Sequence, residues 1–178
     1  MPAASDPEIS RRRLFLIAND MSTRLQIIEN NDTLPTAWLE AFKQYASVPD
    51  DGRDALLLGL LRSAIYRVQE YADRALLKCR VRQTGEADAK TGQIRLYLGG
   101  GEVVSVAYDY GGEEAPYTQN ADDLLTVQAR GSAVSVIFDT KPLRSWREEA
   151  QPTVFKLATA MYDGEDTATC NAILNEVL

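Results

Sequence analysis

The sequence predicts an α+β fold: mainly a helical bundle built on one long helix, with a small antiparallel β-meander inserted between the N-terminal and C-terminal helices. Three observations lead there. Apolar residues recur at helical spacing through 33–77 and again through 151–178. Between them, over 78–140, the period drops to two and glycine clusters break the chain. The 178 residues are 45% apolar and 25% charged, as expected of one folded domain and too apolar for a disordered chain. A chain of this length buries about 70% of its unfolded surface, so it needs no metal or disulfide staple.

Residues 1–32 read as a flexible arm, punctuated by Pro2, Pro7 and Asn30-Asn31-Asp32, although Met21-Ser22 could equally begin the ordered part. Arg11-Arg12-Arg13 is either a solvated patch or a contact to nucleic acid or an acidic partner. The apolar run that follows, Leu14 to Ala18, is too short for a signal peptide's apolar region, so the chain is expected to stay in the cytoplasm where it is made, with no membrane contact.

The domain proper spans 33–178. Its first helix, 33–46, is capped by Thr33, takes Pro35 in its first turn and repeats Leu34, Trp38, Leu39, Phe42 and Tyr45 at helical spacing. Val48-Pro49-Asp50-Asp51-Gly52 ends it and offers capping carboxylates. The second helix, 53–77, carries apolar residues from Leu56 to Leu76 over roughly 200° of its circumference, about twice the stripe of a surface helix. Gln69 and Asp73 fall on its polar side. Its extra cover must come either from the chain's own sheet or from a neighbouring subunit.

Cys79, Val81 and Gln83 alternate with Arg80, Arg82 and Thr84 as in a half-exposed strand. Further strands are expected at 94–98, 103–110, 124–128 and 134–138, with Gly99-Gly100-Gly101 as a hairpin turn and Gly111-Gly112 as another turn. Helix returns over 151–162, begun by Pro152, and over 166–178, capped by Asp166 or Thr167.

Several kinds of chemistry are excluded by count. With no histidine there is no Ser-His-Asp or Cys-His pair and no ordinary zinc site. Carboxylate and metal-assisted chemistry remain open, but Glu113-Glu114, Asp122-Asp123 and Glu148-Glu149 are adjacent pairs whose side chains diverge. Asp163 to Asp166 lacks EF-hand spacing, the glycine triplet lacks the P-loop Lys, and no cofactor is expected. Cys79 and Cys170 read as two buried reduced thiols. Tyr97, Tyr108, Tyr110 and Tyr117 could stack on bases or sugars, but their surroundings are acidic, and packing or interface roles fit better. Net charge is −7, arising from 12 basic against 11 acidic residues in 1–82 and 7 against 15 in 83–178, which argues against a general nucleic-acid binder.

Trp38 to Tyr45, then Pro49 to Leu61, then Ala64 and Val68 to Leu76 resemble the head–tail connector (adaptor) family of long-tailed bacteriophages and prophages. Val154 to Tyr162 occupies the place of that family's closing helix. The resemblance spans about residues 35–178. It implies a virion protein with no enzymatic activity that forms a ring, typically a dodecamer, under the portal protein. Such a ring joins the filled capsid to a downstream connector or tail-terminator protein, with DNA only as passing cargo. The subunit-interface candidates are Leu60, Arg67, Tyr71 and Arg74, the two arginines being expected to reach carboxylates of a neighbour's later half. The alternative is a monomeric bacterial interaction module that binds a peptide or glycan through its β-sheet.

Overall fold

A computed structural model describes residues 23–30, 34, 36–48, 52–128 and 131–176. Among these, seven strands and four helices form in the order β1 (Arg24–Asn30), α1 (Thr36–Tyr45), α2 (Asp54–Ala72), β2 (Cys79–Glu86), β3 (Gln93–Arg95), β4 (Gly101–Tyr108), β5 (Tyr117–Ala121), β6 (Leu124–Val127), β7 (Ala133–Thr140), α3 (Arg144–Tyr162) and α4 (Thr167–Asn175). The class is α+β as expected. The helical emphasis is not: strands and helices build two cores of comparable standing.

One core is helical. Phe42, Leu57, Leu61, Ile65, Val68 and Leu157 are fully or almost fully buried there, with α1 and α3 covering one face of α2. Phe155 is its aromatic centre, with the rings of Trp38, Phe42 and Tyr45 at 5.9, 5.6 and 5.8 Å. The cover of α2 therefore comes from neighbouring helices and not from the chain's own sheet.

The second core lies among the strands. They do not form one meander but two sheets, ordered β1-β2-β7-β4 and β3-β6-β5, with every paired neighbour antiparallel. Strict alternation in β2 and β7 turns Val81, Gln83, Val134, Val136 and Phe138 inward against Leu96, Leu125 and Val127. The glycine triplet is a crossover between the sheets, not a hairpin turn. A Cβ on Gly100 would meet the carbonyl oxygen of Asp122 at 2.0 Å, and one on Gly101 that of Asp139 at 2.0 Å, so only glycine lets the sheets approach here.

Other boundaries also differ from expectation. Residues 24–30, within the stretch read as an arm, form β1, because long-range pairing to β2 outweighs a sequence with little local signal. Thr33, Pro35 and Pro49 to Asp51, with the caps assigned to them, lie outside the described residues, as does the arginine triplet. Helix α2 stops at Ala72, five residues early, where Asp73 takes a left-handed conformation (φ 51°). Helix α3 begins at Arg144, so Pro152 sits inside it and not at its start. Burial of Trp146 and Ala150 on the helical core holds that first stretch helical despite the hydrogen bond proline forfeits. Asp166 does cap α4, accepting the Thr169 N–H at 2.8 Å. Cys79 and Cys170 are buried free thiols.

Arg80 and Asp139 form a two-point ion pair across β2 and β7, with Nε–Oδ1 at 2.8 Å and Nη2–Oδ2 at 2.9 Å, and Arg80 also reaches Glu29 on β1 at 3.3 Å. These hydrogen bonds hold the Asp139 carboxyl below its ordinary value of 3.8. An acid whose native pKa is lowered binds its proton more tightly when unfolded. Its stabilisation is thus present above 3.8 and is lost as pH falls through the native value. Urea unfolding of Asp139→Asn is expected to show a weaker loss of stability on acidification below pH ~5 than the parent chain. Parallel acid limbs for the two proteins would refute this assignment.

Candidate subunit interface

The region where the two cores meet is stitched by polar groups that the sequence reading did not single out. Gln69, placed on the polar side of α2 by periodicity, is instead only 2% exposed. The chain turns back over the end of the helix, and Gln69 Oε1 accepts the N–H groups of Leu76 and Leu77 at 2.7 and 2.9 Å. Asp73 accepts the Leu98 N–H at 2.6 Å, and burial pushes its carboxyl above the ordinary range. Thr140 Oγ1 accepts the Cys79 N–H at 2.9 Å and donates to the Leu77 carbonyl at 3.0 Å. Gln83 binds both the Arg95 carbonyl and the Tyr97 N–H. Arg147 from α3 donates to the Leu76 carbonyl at 2.9 Å. Each bond satisfies a backbone group at the joint, so the helical body and the sheets hold one orientation. Local spacing gives no signal for this, since it puts Gln69 on the polar side and runs the helix past Asp73, whose left-handed conformation only the structure shows.

The four interface candidates divide into two pairs. Tyr71 donates its hydroxyl proton to Asn175 Oδ1 and so ties α2 to α4 within the chain. Arg74 lies beyond the helix end, and its guanidinium stands 5.6 Å from the centre of the Trp146 ring, an internal cation–π contact. Leu60 and Arg67 stay on the outer flank of α2. Leu60 is half-buried, and Arg67 is exposed with no carboxylate within ion-pair distance among the described residues. They share that flank with Leu56, 54% exposed, and with Gly59 and Ser63, since 56, 60, 63 and 67 follow helical spacing.

Gly59 adds a second feature to the flank. Nothing lies within 4 Å of where its Cβ would be, so internal packing does not require glycine there, and glycine inside a helix costs about 1 kcal/mol relative to alanine. A single chain accordingly leaves a partly apolar strip open on α2.

Elsewhere, acidic residues are spread out. No group of three or more His, Cys, Asp and Glu gathers among the described residues. Asp122 faces Lys141 at 3.4 Å on the rim of a shallow groove, and Glu148 pairs with Arg144 at 2.9 Å. The four tyrosines are not a platform: Tyr97 and Tyr108 pack partly into the sheet core, whereas Tyr110 and Tyr117 are exposed. No described helix is long and apolar enough to cross a membrane.

No protein-family model and no curated protein matches the sequence. Solved structures do match the fold. A chain from the neck of an empty gene transfer agent (GTA) particle, computed with C6 symmetry, superposes with a TM-score of 0.61 at 16% identity, covering 86% of this chain and 94% of that one. A chain from the virion of a native GTA particle gives 0.58 at 16% identity over 85% and 93%. A chain from the neck of the native particle, computed with C12 symmetry, gives 0.53 at 16% identity over 86% and 94%. This chain thus shares its overall fold with chains of GTA necks, in line with the resemblance to head–tail connectors carried by residues 38–77.

Proposed function

We propose that this chain is a head–tail connector: a structural virion protein that forms a ring, of twelve subunits, between the portal protein and a downstream connector or tail-terminator protein. Its work is mechanical and involves no catalytic step. The observation that carries the reading is the fold shared with neck chains over 94% of their length. Two physical features support it. The outer flank of α2, with Leu56, Leu60 and Arg67, is the kind of surface a ring subunit presents to its neighbour, and head-to-tail contacts close into rings when the rotation permits. A net charge of −7 suits a conduit that lets DNA pass, because a lumen that gripped phosphates would retard it.

The test is co-expression of the full chain with the portal protein of its own particle, followed by electron microscopy of the purified complex. A ring of this chain seated on the portal is expected. Absence of any complex across salt and protein concentrations would overturn the proposal.

A further inference from the structure

The connection between β4 and β5 forms a pinned, outward-facing tip. The Tyr108 N–H donates to the Glu113 carbonyl at 2.9 Å, the Asp109 N–H to Ala133 at 3.0 Å and the Ala115 N–H to Val106 at 2.9 Å. Gly111 (φ 94°) and Gly112 (φ 68°) make the reversal that no ordinary residue adopts cheaply. At its end Tyr110 is 96% exposed, flanked by the exposed carboxylates of Asp109, Glu113 and Glu114. None of the three has an ion-pair partner among the described residues. Exposed tyrosines are efficient interface anchors, since with two side-chain torsions they bring a large contact area at little cost in conformational entropy.

The surface complementary to this tip is on the same chain but on a different body. The outer flank of α2 carries Gly59 among Leu56, Leu60 and Ser63, and nothing lies within 4 Å of where a Gly59 Cβ would be, so the helix backbone is open to approach there. Arg67 lies eight residues further, about 12 Å along the helix axis, within reach of a carboxylate beside that ring. An acidic aromatic tip and a partly apolar flank whose Arg67 has no ion-pair partner among the described residues complement one another in charge.

Resting on the ring reading above, we infer that the Tyr110 tip of one subunit docks against the Gly59 flank of the next, with Glu113 and Glu114 meeting Arg67. The contact is heterologous: two different patches are used, so each subunit gives one and receives one, as ring closure requires. The net basic earlier half and acidic later half of the sequence then face each other at every boundary.

The experiment mixes two full-length variants, Leu56→Cys and Tyr110→Cys, under mild oxidation and reads disulfide-linked products by intact mass and peptide mapping. Both positions are exposed, so neither variant threatens folding, and the two native thiols are buried. A 56–110 disulfide exceeding either self-linked product at least tenfold is expected. Arg67→Glu in the first variant should reduce that yield about tenfold, and Glu114→Arg in the second should restore it. Rings on the portal without a 56–110 link overturn this inference and leave the ring reading standing. A link unaffected by the charge exchange overturns the role of Arg67. Loss of portal binding by Tyr110→Ala with rings intact assigns the tip to another particle protein and overturns docking to a second copy. Failure of the parent chain to assemble at all overturns the ring reading itself.

Discussion

Replacing Gln69 with leucine is expected to destabilise the protein by about 3 kcal/mol. The side chain is nearly the right size, so the loss is not a cavity. What disappears is the acceptor Oε1 that serves the buried N–H groups of Leu76 and Leu77 at 2.7 and 2.9 Å. Leaving a buried donor unsatisfied costs about 1–3 kcal/mol, and here two are orphaned together. For a chain of this size the melting temperature should drop by about 6–12 °C. Urea unfolding followed by circular dichroism measures the change, and a loss under about 1 kcal/mol would mean that water or a local shift of the link satisfies both groups. Because the same residue orients the two bodies, ring assembly in the co-expression experiment should suffer as well.

Phe155→Ala is the second large effect, expected at about 3–5 kcal/mol. Phe155 is 5% exposed and carries the aromatic cluster that joins α1 to α3, with the Trp38 ring edge-on at an interplanar angle of 84°. Truncation removes the transfer free energy of a large side chain and leaves a void among Trp38, Phe42 and Tyr45, which rigid rings cannot easily refill. Phe155→Leu keeps most of the volume and should recover more than half of the loss. Equilibrium urea unfolding of the pair decides the matter: equal destabilisation by alanine and leucine would place the effect in ring–ring geometry and not in volume.

How far the candidate interface could be read in advance differs from residue to residue. Helical spacing alone puts Leu60 and Arg67 on one edge of α2, and the structure leaves both on that edge. Tyr71 and Arg74 share that edge in the sequence, yet Asn175 and Trp146 draw them into internal contacts. These partners lie 104 and 72 residues away along the chain, beyond any local pattern. Tyr110 is one of four tyrosines in the strand region, and the pairing of 106–108 with 113–115 that leaves it at a tip is visible only in the structure.

Periodicity identifies the face a segment buries, and so the approximate helices, the inward residues of β2 and, with local capping chemistry, the Asp166 cap followed from the order of the amino acids. It carries no information about which other segment covers that face. Gln69 is bound by the turn of the chain just past α2, whereas pairing of β1 to β2, division of the strands into two sheets and continuation of α3 through Pro152 each depend on contacts between distant segments. There, long-range hydrogen bonds and apolar burial outweigh local preferences of about 1 kcal/mol per residue. Which strip of α2 stays bare was settled in the same way, by where α1 and α3 come to rest.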